Sequence, residues 1–357
     1  MPVWSRHVTF VIQQTLSRLD RNYFILILAV RPVQPCLNRL TTMPQTLSKK
    51  RFRQVALSVP HYAREFAAEV HSLRDAYVWG YFKLPYLFPL SDFPIRVTLE
   101  PTNECNFGCR HCHRSIMDRG LGFMDVAMFR KIMLELRSHP SCILKVGGLG
   151  EPALHPDIGE FMKIAQAQRT STYLYTNGSL LRNFDHKEIL GWGLDLLVIS
   201  IDGLDATSFE RIRVGGEYEK IRQAAQEFYA EKRRSKLRFP QVEIRHVIMP
   251  NEHPDELLKF KQDWLGISDT VKFNYLVPLL PGPLNAPRPK CRDIMREFYI
   301  RWDGRVPMCG YQPAWLGDLH SSTIRELWHD DKLQQLRNFH QNRDLSQAPA
   351  CRTCSFR

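Results

Sequence analysis

The feature that most constrains the fold is a regular alternation of strand-like and helix-like segments between residues 95 and 277. Short runs of β-branched and apolar residues alternate with segments whose apolar residues recur at helical spacing. The predicted strands lie at 95–100, 143–146, 172–175, 194–201, 242–249 and 271–277. Such alternation is typical of right-handed βαβ units and a parallel sheet. Six units are too few for an eight-fold barrel, so the sequence predicts an α/β fold with a partial (β/α)6 TIM-like barrel. Its site should lie at the carboxyl ends of the strands.

The cysteines are the second informative feature, because the chain has nine of them. An odd number, in a sequence with no convincing export signal, argues against a disulfide framework and favours metal binding by thiolates. Seven of the nine fall into two groups, and only Cys36 and Cys142 stand apart. No apolar run approaches the ~20 residues that a membrane-spanning helix needs. We therefore expect a cytoplasmic protein without a membrane span.

The first cysteine group has the spacing C-x3-C-x2-C and comprises Cys105, Cys109 and Cys112, directly after the first predicted strand. Three thiolates on one loop can hold three irons of a cubane cluster and leave the fourth iron open to a small molecule. The alternative is a zinc site completed by His111 or His113. The position after strand one, at the end of the barrel where enzymes of this architecture work, favours the cluster.

This loop resembles the hallmark C-x3-C-x-φ-C motif of the radical S-adenosylmethionine (SAM) superfamily, in which φ is usually aromatic and is His111 here. The resemblance implies a [4Fe–4S] cluster whose open iron binds the amino and carboxylate groups of SAM. It also implies an electron donor such as flavodoxin or ferredoxin. Reductive cleavage of SAM would then release methionine and a 5′-deoxyadenosyl radical, which takes a hydrogen atom from the substrate.

Further stretches resemble cofactor-binding segments of the same superfamily. The positions that the resemblance assigns to SAM are Gly148, Gly150, Glu151, Asn177, Ser200 and Arg213. The two glycines follow strand two and let the backbone approach a ligand, and Glu151 can accept from an ammonium group. The polar residues at the ends of strands three and four would address the ribose and carboxylate, and Arg213 would hold the carboxylate through its guanidinium. A strand-end turn and a surface arginine on a helix are the ordinary structural alternatives.

The second cysteine group lies near the C-terminus and comprises Cys291, Cys309, Cys351 and Cys354. Four thiolates are the full complement of one cubane cluster. The group resembles the shortened auxiliary-cluster domain, called twitch, of SPASM-type radical SAM enzymes, and four cysteines then imply one auxiliary [4Fe–4S] cluster. A zinc clip on the same thiolates is the alternative.

Changes in composition divide the chain into four predicted parts. Residues 1–42 look unlike the rest and are predicted to be weakly ordered or a spurious N-terminal extension, and residues 43–92 to form a helical cap. Residues 93–280 hold the partial barrel. Prolines crowd the chain from Pro278 to Pro289 and mark a linker, after which 281–357 form the auxiliary iron–sulfur domain.

An oxidation would require the substrate to lose a proton as well as a hydrogen atom, so a proton acceptor is expected near the strand ends. The candidates are Asp202, Glu243, Arg245, His246, Asn274 and Tyr275. Strand register decides which of them face inward, and one sequence does not determine it. The resemblance implies oxidation or epimerisation of a sugar- or aminocyclitol-like small molecule, or of a peptide residue.

The formal net charge of +12 keeps a second class of function open. Residues 1–92 carry twelve Lys and Arg against five Asp and Glu, and a basic surface of this kind can bind nucleic acid. The alternatives are a zinc-stabilised nucleic-acid-binding protein and a radical SAM enzyme that modifies RNA. Nucleic acid is the less favoured partner, because no recognition domain for RNA is evident.

Overall fold

The computed structural model of this chain describes residues 90–277, 291–311 and 314–354. All of them belong to one compact unit, Leu84–Arg357. The predictions for residues 1–42 and for the helical cap lie outside the described residues, apart from the last three positions of the cap. No helix in the described ranges is both long and apolar enough to cross a membrane.

The strands confirm the predicted alternation. In chain order they are β1 (Arg96–Leu99), β2 (Gly108–Cys109), β3 (Ile143–Val146), β4 (Ser171–Thr176), β5 (Leu196–Ser200), β6 (Arg213–Val214), β7 (Gln241–Ile248), β8 (Thr270–Tyr275), β9 (Glu297–Ile300), β10 (Arg305–Pro307) and β11 (Trp315–Asp318). Seven of these form one sheet in the order β8-β7-β5-β4-β3-β1-β9, and every neighbouring pair is parallel. The predicted α/β architecture, a partial barrel, is confirmed.

The helices follow the strands as the βαβ pattern requires. They are α1 (Val126–Arg137), α2 (Ile158–Ala167), α3 (His186–Leu190), α4 (Ala206–Ile212), α5 (Tyr218–Arg234), α6 (Pro254–Leu265), α7 (Ile324–Trp328), α8 (Asp331–Asn342) and α9 (Pro349–Arg352). Several begin at a capping side chain that satisfies a free backbone N–H. Asp125 accepts from Met128 N at 2.7 Å at the start of α1, and Asp205 forms a capping box with Ser208 at the start of α4.

The main core lies between the sheet and these helices. Phe129 of α1 and Phe161 of α2 are fully buried and stack with ring centroids 4.1 Å apart. Strand residues of one parity, such as Val97, Leu144 and Ile244, are fully buried in the same cluster. The opposite face of the sheet, which we call the inner face, carries Lys145, Tyr175, Ser200, Glu243 and Arg245 instead.

The seventh strand was not predicted, because the segment after residue 290 shows little periodicity. β9 comes from the C-terminal region and pairs in parallel with β1, with Arg96 opposite Glu297. These two side chains form an ion pair. Farther along, Trp328 of α7 donates to the carbonyl of Ser91 at 2.8 Å. The cysteine-rich C-terminal region is therefore built onto the first barrel strand.

Candidate functional site

The first cysteine loop leaves the carboxyl end of β1 and is held there by a short antiparallel ladder. β2 within the loop pairs with β6, which places Cys109 opposite Arg213. Next to this pair, Arg110 N donates to the carbonyl of Ile212 at 3.0 Å. The loop is therefore anchored to the chain that follows the fourth unit of the barrel, at the edge of the sheet where the sequence predicted a site.

The three thiols of this loop lie in a partly buried environment. Cys105 Sγ accepts from Phe107 N at 3.4 Å and from Asn177 Nδ2 at 3.9 Å. Burial is the main cause that raises the pKa of Cys109 to about 11, and the Arg213 guanidinium acts against it. Because thiolates are the metal-binding form, a cationic metal cluster would reverse the effect of burial.

The glycine-rich segment after β3 packs directly against the cysteine loop. A Cβ atom on Gly150 would lie 2.3 Å from the carbonyl oxygen of Thr102 and 2.6 Å from that of Glu104. On Gly148 it would lie 3.0 Å from the Cβ of Glu100. Glycine is therefore required at position 150 by the close passage of two backbones, and at position 148 the Glu100 side chain leaves little room for a Cβ atom.

Glu151 follows the glycine-rich segment and its carboxylate is buried. Its Oε1 accepts from Ala153 N at 3.1 Å and from the Thr176 hydroxyl at 2.7 Å, and its Oε2 accepts from Asn177 N at 2.7 Å. Burial raises the pKa of Glu151, and these three hydrogen bonds oppose the rise. The backbone N–H of Glu151 donates to Glu104 O at 2.7 Å. Glu151 thus joins the glycine-rich segment, the cysteine loop and the end of β4.

Asp202 and Arg213 form a buried ion pair below the cysteine loop. Arg213 Nε and Nη2 lie 2.9 and 2.6 Å from Asp202 Oδ2, and His111 Nε2 lies 3.1 Å from the same oxygen. Val247 N donates to Asp202 Oδ1 at 2.7 Å. Burial raises the pKa of Asp202, but Arg213 and His111 outweigh it and lower the pKa to about 2. Asp202 is therefore an anion that orients Arg213 and the motif residue His111.

The two remaining SAM candidates lie at neighbouring strand ends. Asn177 Nδ2 donates to Asn106 Oδ1 at 2.9 Å, so its amide tethers the cysteine loop. Ser200 is the last residue of β5 and is partly exposed on the inner face. The structure thus brings all six predicted SAM positions to the rim that carries the cysteine loop, and several of them also hold one another in place.

The candidate proton acceptors divide between the two faces of the sheet. Glu243, Arg245 and Asn274 share the parity of the inner face, since residues in register on neighbouring strands point the same way. His246 and Tyr275 have the opposite parity. The Tyr275 side chain is 86% exposed.

His246 is enclosed on the helix-facing side. It is fully buried, its Nδ1 lies 3.0 Å from Ile201 O, and its Nε2 lies 2.7 Å from Glu252 Oε2. Its ring packs against Phe260 and Phe273, with centroids 4.7 and 5.7 Å away. Both ring nitrogens are thus engaged within the core.

The sequence analysis did not single out Lys145 on the inner face, or its position beside Tyr175 and Arg245. Lys145 Nζ lies 4.4 Å from the centre of the Tyr175 ring, and Arg245 Cζ lies 4.9 Å from it. The usable signal was a lone lysine in the otherwise apolar strand β3, together with tyrosines at every second position of β4. Such a lysine is rare in a strand buried on both faces.

The second cysteine group is brought together from three distant segments. Cys291, Cys351 and Cys354 all act electrostatically on Cys309. Burial is the main cause that raises the pKa of Cys309 and of Cys291 to about 12. The four thiols therefore lie in one partly buried neighbourhood, as the prediction of an auxiliary cluster requires.

A buried carboxylate connects the two cysteine regions. Glu100, at the end of β1, accepts at Oε2 from Arg119 Nη2 at 2.5 Å and lies 3.4 Å from Arg301 Nη1. Arg301 Nη2 also donates to the carbonyl of Gly310, next to Cys309, at 3.2 Å. The loop after the first cysteine group and the C-terminal region thus share one anion.

The donor sets fit the cofactors that the sequence implies. The first group offers three thiols on one loop and the second offers four, which matches one open and one closed cubane. Within the described residues, no three His, Cys, Asp or Glu side chains converge on a position for a single metal ion. A cubane spreads its thiolates over separate irons, so its ligands need not converge on one point.

Comparison with protein families gives two matches. Residues 99–263 match the radical SAM superfamily, and residues 291–355 match SPASM, an iron–sulfur cluster-binding domain. These matches confirm the predicted resemblance and the predicted cofactor classes, namely SAM and [4Fe–4S] clusters that include an auxiliary one.

The curated proteins that resemble this chain include members with different names and activities. The tungsten-containing aldehyde ferredoxin oxidoreductase cofactor-modifying protein of Pyrococcus furiosus is 27% identical over 193 residues, which cover 52% of this chain and 53% of that protein. Mycofactocin maturase MftC of Mycobacterium tuberculosis is 30% identical over 139 residues, covering 39% of this chain and 35% of MftC. The chain thus spans about half or less of the length of these two relatives.

Solved structures share the fold at low sequence identity. The structure of anSMEcpe with bound AdoMet and the Cp18Cys peptide has a TM-score of 0.53 and 16% identity, covering 73% of this chain and 88% of that one. SuiB of Streptococcus suis bound to S-adenosylmethionine has a TM-score of 0.51 and 13% identity, with coverages of 81% and 79%.

Proposed function

We propose that the chain is a radical SAM enzyme that uses SAM to abstract a hydrogen atom from its substrate, because residues 99–263 match the radical SAM superfamily and residues 291–355 match the SPASM domain. The substrate is a sugar- or aminocyclitol-like small molecule or a peptide residue, and the outcome is oxidation or epimerisation. The barrel at 93–280 would hold SAM, and the region 281–357 would hold the auxiliary cluster.

One observation carries the proposal. The loop with Cys105, Cys109 and Cys112 lies at the carboxyl ends of the parallel strands and is locked there by the glycine-rich segment on one side and by the Asp202–Arg213 pair on the other. Three thiols in a loop with so little freedom form a preorganised site for a cluster with one open iron.

The bound cluster and SAM would supply a carbon-centred radical. The residues of this chain hold and orient the reactants. Arg213, fixed by Asp202, presents a cation beside Cys109 and is our candidate for the carboxylate of SAM. Glu151 retains acceptor capacity on Oε2, which carries one hydrogen bond, and is our candidate for the ammonium group.

The reaction type is proposed from the second cysteine group. An auxiliary cluster can accept the electron that remains after a hydrogen atom and a proton have left the substrate. Glu243, on the inner face, is the candidate that lies where a substrate could lose that proton, and its neighbour Arg245 is a cation that cannot accept one. The cleaving cluster needs an external electron donor, for which flavodoxin or ferredoxin are suitable classes. The peptide in the anSMEcpe structure makes a peptide residue a reasonable first substrate to screen.

The decisive experiment is anaerobic reconstitution of the full chain. We expect brown protein with about eight irons and eight sulfides, as two cubanes require, and 5′-deoxyadenosine on reduction with dithionite in the presence of SAM. The triple variant Cys105→Ala, Cys109→Ala, Cys112→Ala should keep about four irons and form no 5′-deoxyadenosine. Colourless protein with stoichiometric zinc would contradict the proposal and favour the zinc-stabilised alternative.

A glycine pair tests the geometry of the loop. Gly150→Ala should displace the cysteine loop, because its Cβ would overlap two backbone carbonyls, and should lower 5′-deoxyadenosine formation at least about tenfold. Gly120→Ala is the matched control, since a Cβ there meets nothing within 4 Å. Equal activity of the two variants would show that the loop is not held as described.

A further inference from the structure

Lys145 is an inner-face cation that forms no ion pair with any described residue. It lies on β3 in register with Tyr173 of β4. Its Nζ approaches the Tyr175 ring, and no other hydrogen bond or ion pair of Lys145 occurs in the described structure. An ammonium group that is partly removed from water without a counter-charge is costly, and a bound anion would reduce that cost.

Arg245 approaches the same tyrosine from the other side. Its Nη1 donates to the Tyr175 hydroxyl at 2.9 Å, and its Nη2 forms an ion pair with Glu243 Oε1. Glu243 Oε2 lies 3.3 Å from Lys272 Nζ. Arg245 and Lys272 therefore share the carboxylate of Glu243.

Other charged groups that act on Lys145 are already paired. Arg96, which repels it, forms an ion pair with Glu297. Asp293, which attracts it, lies 2.9 Å from Arg296. Burial, reinforced by Arg96 and Arg245, lowers the pKa of Lys145 to about 8. Burial is thus the main cause that disfavours the Lys145 cation, and an anion bound beside it would offset part of that cost.

We propose that Lys145 and Arg245, on either side of Tyr175, bind an oxyanion group of the substrate, either a carboxylate or a phosphate. The inference rests on the proposed function and narrows its substrate class. A guanidinium and an ammonium are the groups that proteins use for oxyanions. The Tyr175 hydroxyl accepts from Arg245, so its own hydrogen is available to donate to the same ligand. The side chains remain partly exposed, which leaves them accessible to a small ligand.

The test uses the full chain, reconstituted anaerobically with its clusters and supplied with SAM. Inorganic phosphate and acetate serve as separate probes, and binding is followed as protection of Lys145 from an amine-acylating reagent, measured by peptide mass spectrometry. We expect saturable protection of about tenfold or more by at least one probe, and the more effective probe identifies phosphate or carboxylate. Lys220, whose side chain is 58% exposed, should be labelled at the same rate throughout.

A pair of arginine variants tests whether the anion binds beside Lys145 and Arg245. Arg245→Met should raise the anion concentration needed to protect Lys145 about tenfold. Arg238→Met removes an exposed arginine shortly before β7 and should not change it. The proposal is overturned if neither anion protects Lys145 in the unmodified protein, or if Arg245→Met is protected equally well.

5′-Deoxyadenosine is measured in the same samples, so that a failure of the oxyanion subsite can be distinguished from a failure of the proposed radical SAM function. Its formation without protection of Lys145 overturns the oxyanion subsite and leaves the radical SAM function standing. Protection of Lys145 in a protein that never forms 5′-deoxyadenosine supports anion binding and overturns the proposed function.

Discussion

The two faces of the central sheet carry residues of very different character. Adjacent residues of β3 show the contrast, because Leu144 is fully buried against the helices while Lys145 faces inward beside Tyr175. On β7 the same holds for Arg245, which meets the Tyr175 hydroxyl, and His246, which is enclosed by core aromatics.

This contrast separates folding from chemistry within single strands. The helix-facing residues remove apolar surface from water and contribute most of the stability. The inner-face residues carry charges whose burial costs stability, and charges of this kind are concentrated at functional sites. Substitutions on the two faces should therefore have effects of opposite sign.

The largest expected effect lies on the helix-facing side. Leu144→Ala should lower the free energy of unfolding by about 2–5 kcal/mol, because it leaves a cavity in a fully buried position. Anaerobic denaturant titration measures the loss. Leu134→Ala on α1, where the side chain is 63% exposed, is the control and should change little. Equal stability of the two variants would contradict the view that the helix-facing residues contribute most of the stability.

A smaller loss is expected for His246→Leu. The change removes the contacts to Ile201 O and to the Glu252 carboxylate, which should cost about 1–3 kcal/mol. 5′-Deoxyadenosine formation per folded protein should stay the same. A variant that melts like the parent protein but no longer cleaves SAM would place His246 in the chemistry instead.

Lys145→Met should have the opposite sign. In buffer without phosphate or carboxylates, we expect the melting temperature at pH 7 to rise by about 2–5 °C, because a poorly compensated cation is removed. The folded-state pKa of Lys145, about 8, lies below its ordinary value of 10.5. The penalty is complete below pH 8 and declines as the pH rises toward 10.5, since the folded protein loses the proton first.

The difference between Lys145→Met and the parent protein should therefore shrink over that interval. Differential scanning fluorimetry from pH 7 to pH 10.5 measures it. Lys163→Met, at an exposed position of α2, should show no such trend. A constant difference across the interval would indicate a packing effect without a contribution from charge.

The smallest effect is expected at Tyr275, the most exposed of the large hydrophobic residues described. Tyr275→Ala should change the free energy of unfolding by no more than about 0.5 kcal/mol. SAM cleavage should also be unchanged. A loss of activity would show that the carboxyl end of β8 contributes to the site from the side opposite the inner face.

Much of the site could be predicted from sequence because its signals are local. Cys105, Cys109 and Cys112 lie within eight residues, so their spacing alone indicates a shared ligand. The sequence also predicted Gly150 and Glu151 as cofactor candidates, but only the structure shows what they touch. Gly150 is needed where the backbone passes Thr102, and Glu151 accepts hydrogen bonds from Thr176 and Asn177.

The sequence by itself determined the succession of strands and helices along residues 95–277 and the two cysteine groups, since periodicity and spacing are properties of neighbouring residues. Only the tertiary structure decided the register that turns Lys145 and Arg245 toward Tyr175 and His246 toward the helices. It also placed β9 beside β1. The register of the strands and their order within the sheet depend on pairings between residues far apart in the chain. A shift of one residue in register would exchange the two faces of a strand.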